Sequence, residues 1–297
     1  MPVLPENMFT STSDSLILIT DPSLDNKTVG LCDLLVLIED SSIQLALLEK
    51  KSNQFLALEV FRGANNNEPT SPQKLLELAA SKSKLLRNYE FSKARVCLTT
   101  TQYTLVPEAL HHPGDEASYF HLNFRNVANA TIFPAHVSAF HLYSIYGIDA
   151  ELQKSILHLF QEPKIFHHSE SVLGDLSLRL RTDAGKQAWL NVRENGIDIS
   201  VTDGRKLILL NSFDRHNNED TLYYVLFTFE QLGLDPESTP LHLSGEIEQD
   251  SALYNLLYNY IRNIQFTERL HLLSFSPAFS RIPSHFYSSL FSLAVCG

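Results

Sequence analysis

Two stretches half a chain apart carry the same strand–turn–strand pattern. Ile43, Leu45 and Leu47 alternate along one, and Ile197, Ile199 and Val201 along the other, each pair separated by 154 residues in a chain of 297. A slip of one residue would turn such a set onto the opposite face of a strand, so three positions sharing one offset mark a repeated hairpin. In the first copy (residues 34–48) the strands flank the polar break Glu39, Asp40, Ser41 and Ser42; in the second (189–201) they flank Arg193, Glu194, Asn195 and Gly196. A third strand follows each time, over 55–61 and over 207–213. The latter is reached through Asp203-Gly204, a pair that predicts a type I′ turn with positive φ at both central positions.

After each meander the pattern changes to helix and then strand, the order of a βββαβ unit. In the first copy Ser71 is the expected N-cap with Pro72 at the first helical position, and Leu75, Leu78, Ala79 and Leu86 follow at helical spacing. A strand over 96–99 closes the unit. In the second copy Leu222, Val225, Leu226 and Phe229 mark the helix, with Gly233 as its C-cap and Pro236 as its stop. A strand over 241–243 then runs through Ser244 and Gly245 into a helix carrying Leu253, Leu256, Leu257, Tyr260, Ile261 and Ile264. Between the copies, 119–124, 140–146 and 164–168 read as strands, and Asp149 caps a helix with Leu152, Ile156, Leu159 and Phe160 facing inward. The polar segments 63–71, 111–116 and 213–220 read as surface loops. The chain therefore predicts an α/β fold of two related lobes, 1–170 and 171–297, each a mixed β-sheet flanked by helices. The apolar tract 285–296 is expected to pack back on the first lobe.

Composition sets the outer limits. Hydrophobic residues at 44% and charged residues at 19% suit a folded chain rather than a disordered one. Lys plus Arg number 23 against 34 Asp plus Glu, a net charge of −11 that repels nucleic acid and anionic membrane surfaces. The longest aliphatic run, 34–38, falls far short of the roughly 20 residues of a membrane span, so direct membrane insertion is not expected. The first ten residues lack a basic stretch followed by an apolar one, so no secretory signal is read there. Cys32, Cys97 and Cys296 show neither metal spacing nor disulfide density, which suits a reducing, cytoplasmic compartment.

Two copies of strand, turn, strand, turn, strand, helix and strand resemble the duplicated ribonuclease-H-like unit of the actin-like ATPase superfamily. The texts LLVLIEDSSIQLALLEKKSNQFLALEVF and WLNVRENGIDISVTDGRKLILLNSF are similar to the hairpins of pilus-assembly and type II secretion actin-like proteins. With YTLVP at 103–107 and HHSESVL at 167–173, they also resemble a bacterial family of unknown function assigned an actin-like ATPase fold. The resemblance implies ATP and Mg²⁺ as cofactors, with nucleotide in an interlobe cleft. In active relatives the first turn reads roughly Asp-x-Gly-Thr/Ser; here Asp40, Ser41 and Ser42 stand in that place without the glycine. At the second turn Asn195 and Gly196 stand where relatives carry Asp and Gly, and Gly245 stands alone where a Gly-Gly turn would meet adenosine.

Each of these candidates has a plainer reading. A polar turn between strands needs no ligand, Asn-Gly is also a hairpin turn, and Glu246 beside Gly245 opposes a nucleotide by charge. Phosphoryl transfer depends on positioned donors and metal, so three altered turns argue for a catalytically weak or inactive ATPase homologue that serves as an interaction scaffold with a protein partner. The competing reading is an Mg-dependent ATPase or kinase using Asp40, with Glu194 as second carboxylate. A third, by analogy with the secretion proteins, is a structural subunit of a membrane-associated secretion or pilus-like assembly. The pairs His111-His112 and His167-His168 read as structural, because neighbours on a strand point to opposite faces and do not share an ion. No resident metal is expected.

Overall fold

The structure, a computed structural model, describes residues 17–62, 71–88, 90–125, 127, 129–182 and 185–296. Most of the expected loop at 63–71 lies outside the described residues. Strand β1 (Ile17–Thr20) and helix α1 (Asn26–Val29) lead into the meander β2 (Cys32–Ile38), β3 (Ser42–Glu49) and β4 (Gln54–Arg62). Helices α2 (Pro72–Lys82) and α3 (Lys84–Asn88) return the chain to β5 (Lys93–Leu98). Next come β6 (Tyr103–Pro107), α4 (Glu116–Asn123), β7 (Ala130–Val137), β8 (Leu142–Asp149), α5 (Ala150–Leu159), β9 (Lys164–His167) and α6 (His168–Arg179). The second meander, β10 (Lys186–Val192), β11 (Gly196–Asp203) and β12 (Lys206–Asp214), is followed by α7 (Asn218–Leu232), β13 (Leu241–Gly245), α8 (Ala252–Tyr258) and β14 (Ile264–Phe266). Two short elements, β15 (Ser274–Phe275) and α9 (Ser288–Phe291), complete the order.

Among the described residues the strands form three sheets. The first runs β1-β4-β3-β2-β5-β9 with β15 added on β4, the second β12-β11-β10-β13-β14, and the third β6-β8-β7. Without β1 and β15, the first two have one plan: an antiparallel meander, then two parallel strands beyond its first strand. The repeat extends to a defect. The ladder of β3 on β4 shifts register between Leu47 and Leu48, and that of β11 on β12 between Val201 and Thr202, again 154 residues apart. Strands β2 and β3 are buried along nearly their whole length, and their near-continuous apolar runs are what a strand covered on both faces requires.

The chain divides into two compact units. One contains residues 17–175, His271–Arg281 and 289–296; the other contains Leu176–Leu270 and Ile282–Ser288. In the first, Phe291 packs on Phe55 at 4.6 Å and on Phe275 at 4.9 Å between ring centroids. The Arg95 guanidinium donates to the carbonyls of Leu293 and Cys296 at 3.1 and 2.9 Å, and Ser171 Oγ donates to Ser289 O at 2.6 Å. The apolar end of the chain is thus held by aromatic burial and by hydrogen bonds to its last carbonyls. The core of the second unit joins Leu190, Val192, Ile197, Ile199 and Val201 of the meander to Val225 and Phe229 of α7 and Leu253 and Leu257 of α8.

Several local expectations are corrected. Residues 119–123 are helical, within α4, and Phe124 is its C-cap: Phe120 packs against Gly147 of β8, where a Cβ would come within 2.9 Å of its ring, and its ring lies 5.0 Å from that of Phe124, tilted by 41°. The helix expected to reach Leu86 breaks at Ser83. There the buried Glu59 carboxylate of β4 accepts from Ser83 Oγ at 2.6 Å and from the Lys84 and Leu85 amides at 3.1 Å, starting α3 afresh. The helix after Gly245 ends at Tyr258, and Ile264 belongs instead to β14, paired in parallel with β13. Asp203 pairs with Lys206, so the tight turn is Gly204-Arg205, and of these only Gly204 has positive φ, at +56°. That is the pattern of a type II′ turn, not I′.

A half-buried acid on α6 provides a pH test. Glu170, in the first turn of α6, accepts the His167 N–H at 2.8 Å, and burial pushes its pKa from 4.5 up to about 7. The folded state then holds a proton that the unfolded state has released, so this group costs stability as pH rises from 4.5 to 7 and the full cost persists above. Glu170→Gln does not titrate and keeps an acceptor for His167. It is expected to match the wild type below pH 4.5 and exceed it by on the order of 3 kcal/mol above pH 7. Urea denaturation of both proteins across that range checks it; a difference that does not vary with pH would refute the raised pKa of Glu170.

Candidate functional site

The turn between β2 and β3 is closed by its own side chains. Ile38 pairs with Ile43, and inside that pair the Glu39 amide donates to Ser42 O at 2.9 Å. The Glu39 side chain folds back under the turn, buried, where its Oε2 accepts from Ser42 Oγ at 2.6 Å and from Gln44 Nε2 at 3.1 Å. Ser42 is thereby engaged with Glu39. Asp40 is exposed at the tip and lines a cavity of about 290 Å³ with Thr99, Thr100, Gln102, Gly147 and Asp149. Apolar residues, Ile38, Leu98, Ile148 and Leu152, also line it. Asp149 spends Oδ1 on the amides of Glu151 and Leu152 as the N-cap of α5, as its sequence position suggested.

The turn between β10 and β11 is closed in the same way with different chemistry. Arg193 reaches back along β11 to Asp198: Nη2 donates to Oδ1 at 3.0 Å and Nε to Oδ2 at 3.2 Å. Asn191, directly opposite Asp198 in the ladder, donates to Oδ2 at 3.0 Å, and Ser212 of β12 donates to Oδ1 at 2.7 Å. Arg215 holds the turn's backbone: its amide donates to Asn195 O at 3.0 Å, and its Nε to the carbonyls of Arg193 and Glu194 at 3.2 and 3.3 Å. Neither Asn195 nor Gly196 has positive φ. Gly196 is small for another reason: a Cβ there would lie 2.9 to 3.0 Å from the Arg193 guanidinium.

These two arrangements correspond residue for residue, since Glu39 and Gln44 lie 154 positions before Arg193 and Asp198. In each unit the side chain at the start of the turn is tied to the side chain five residues later. The sequence reading centred on the tips and missed this bracing. One signal was available: Gln44 and Asp198 are polar residues set between apolar ones in otherwise apolar strands, where a buried polar group needs a partner.

Gly245, at the end of β13, has a φ of +83°, and a Cβ on it would lie 2.1 Å from the Val192 carbonyl oxygen. The close approach is made to the neighbouring strand: Glu246 N–H donates to Val192 O at 2.7 Å, and Gly245 N–H to His285 O at 2.8 Å. Beside it, Asn191 Oδ1 accepts from Ser244 Oγ at 3.1 Å and from Ser288 Oγ at 3.3 Å. Of the candidates, Asp40, Ser41 and Ser42 fall in the first unit, and Glu194, Asn195, Gly196 and Gly245 in the second.

The histidine pairs differ from the expectation in geometry. His167 ends β9 and His168 begins α6, so they are not strand neighbours; their rings lie 4.3 Å apart, both buried. His167 is held by Ser169 Oγ at Nδ1 and by Thr100 O at Nε2, at 2.8 and 3.1 Å. His111 stacks on Tyr143 at 3.8 Å. Among the described residues no group of three or more His, Cys, Asp or Glu could hold a metal ion, and no helix is long and apolar enough to cross a membrane.

A sequence profile for a family described as "Protein of unknown function (DUF3822)" matches residues 21–264. No curated protein matches the chain by sequence. Among solved structures, the chain is similar to a Bacteroides thetaiotaomicron protein with an actin-like ATPase fold and unknown function. They share 18% identity and a TM-score of 0.76 over 92% of this chain and 99% of that one. It is also similar to a chain of the PilM-PilN type IV pilus biogenesis complex, at 13% identity and a TM-score of 0.59, covering 88% of this chain and 97% of that one. The fold is the actin-like ATPase fold that the repeated hairpins led us to expect.

Proposed function

This chain belongs to the DUF3822 family of proteins of unknown function, and we propose that it works as a protein-binding scaffold on an actin-like frame, without phosphoryl transfer. The observation that carries this reading is the bracing of both turns by their own side chains, above all the Arg193 guanidinium placed two-pronged on Asp198. A turn that holds a nucleotide needs carboxylate oxygens for metal-bound water and open backbone for phosphate. Here both Asp198 oxygens accept from Arg193 and share further donors in Asn191 and Ser212, so Mg²⁺ would have to displace a guanidinium. The residues of the second turn therefore do not fit a magnesium-bound nucleotide. Gly245 has a structural reason of its own, which removes it as a sign of an adenosine site. A protein partner is favoured by the likeness to the chain from the PilM-PilN complex, a protein–protein assembly.

The test is thermal stability and turnover with ATP, ADP and Mg²⁺. A site with a Kd of about 50 μM, challenged with about 5 mM nucleotide, would add about 2.7 kcal/mol to stability. The expected result is no measurable shift and no phosphate release above buffer. Magnesium-dependent hydrolysis abolished by Asp40→Ala would overturn the proposal in favour of the enzyme reading, with Asp40 as its carboxylate.

A further inference from the structure

The cavity beside Asp40 is built by one unit alone, since its lining residues run from Ile38 to Leu152, all within the first unit. It opens where the parallel strands β2 and β5 end, with Ile38 paired to Leu98, the crevice in which open α/β sheets take their ligands. Local bonds fix that end. The Thr99 amide and hydroxyl both donate to Ile38 O, at 3.0 and 3.2 Å, which ties the exit of β5 to the last residue of β2. Where β8 passes into α5 beside Asp149, the Ala150 amide donates to Asn129 O at 3.0 Å. The volume of about 290 Å³ falls at the lower limit of small-molecule pockets, roughly 300 Å³. That is room for one long side chain rather than for a nucleotide.

Charge decides which side chain. The charged residues of the lining are Asp40 and Asp149, both acidic, and among the described residues no Lys, Arg or His joins them. Asp149 Oδ1 accepts from two amides of α5, while its Oδ2 accepts no hydrogen bond from the described residues. Gln102, also on the lining, is exposed. Beside these groups the lining is aliphatic. We propose that this cavity binds a basic side chain, an arginine of a protein partner, whose methylene stem packs on Ile38, Leu98, Ile148 and Leu152 while its guanidinium meets Asp149 Oδ2 in the field of Asp40. Long basic side chains bury their stems on apolar surface and keep the charged head on polar groups. Arginine fits better than lysine, because five donors in a planar fork serve a carboxylate and the Gln102 amide oxygen together. The inference rests on the scaffold reading above and gives the partner's anchor its chemistry.

Methyl NMR on the full chain tests it, with N-acetyl-arginine amide as the probe, which presents the side chain in a peptide setting without a free carboxylate. The expected result is a saturable shift of the Ile38 and Ile148 methyls at millimolar probe. N-acetyl-citrulline amide, an uncharged analogue of the same length, is expected to give none. Asp149→Asn keeps the N-cap of α5, because asparagine caps a helix as well as aspartate does. It is expected to weaken binding about fivefold, the most that one exposed ion pair returns, and adding Asp40→Asn is expected to weaken it further. Circular dichroism confirms that both variants are folded. Citrulline binding as well as arginine, shifts spread over the acidic surface rather than gathered at the cavity, or an unchanged affinity in the double variant would each overturn the proposal. So would free arginine binding more tightly than the capped probe, which would mark a small metabolite in place of a protein partner. A probe that does not bind overturns this inference and leaves the scaffold reading standing, whereas displacement of the probe by ATP and Mg²⁺ with release of phosphate overturns both.

Discussion

Gly245→Ala is expected to unfold the unit that contains it, at a cost on the order of 4 kcal/mol or more. Two causes add. The backbone at Gly245 has a φ of +83°, a conformation that side-chain-bearing residues rarely adopt, and the added Cβ would stand 2.1 Å from the Val192 carbonyl oxygen and 2.8 Å from Asn191 Oδ1. The first obstacle is backbone in a buried strand, so no side-chain rotation relieves it. Relief would part β13 from β10, the parallel pairing at the centre of the second sheet, and break the bond from Glu246 N–H to Val192 O. Gly233→Ala serves as the control, since Gly233 also has positive φ, at +59°, but nothing lies within 4 Å of its Cβ position. It should cost only about 1–2 kcal/mol. Chemical denaturation followed by far-UV circular dichroism measures both. If Gly245→Ala cost no more than Gly233→Ala, the close approach would be wrong and a ligand-based reason for Gly245 would return.

The frame was legible because burial writes itself into sequence at fixed periods. The alternation of Ile43, Leu45 and Leu47 and its repeat at Ile197, Ile199 and Val201 belong to central strands with both neighbours in place. Helix ends were legible for the same kind of local reason: Ser71, Asp149 and Gly233 act where their side chains or φ preferences favour. What failed depended on distant partners. Residues 119–124 alternate like a strand, yet the space beside Gly147 decides for a helix with Phe120 inside. Ser83 interrupts a good helical pattern because Glu59, 24 residues earlier, presents a buried carboxylate to the next turn. The turns show the limit most clearly. Their tips were read as degraded phosphate loops, whereas the chemistry that distinguishes them lies in the pairs Glu39–Gln44 and Arg193–Asp198, joined across the turn only once the hairpin register is known.

The second of those pairs should carry far more energy than the first. Asp198→Ala removes the only carboxylate bonded to the Arg193 guanidinium among the hydrogen bonds described above, and the Arg193 side chain is just 12% exposed. Breaking one partner from a buried pair leaves an uncompensated charge and costs about 3–5 kcal/mol; here Asn191 Nδ2 and Ser212 Oγ lose their acceptor as well. Glu39→Ala removes an acceptor from two neutral donors, Ser42 Oγ and Gln44 Nε2, and should cost only about 1–3 kcal/mol. Adding Arg193→Met to Asp198→Ala takes away the stranded charge while keeping an aliphatic stem, so the double variant should be more stable than Asp198→Ala alone by about 2 kcal/mol. Denaturation midpoints for the single and double variants give the coupling directly. A cost below about 1 kcal/mol for Asp198→Ala would mean that the guanidinium finds water or another partner. The second turn would then not be closed by its own side chains, and the argument against a metal-bound nucleotide there would lose its footing.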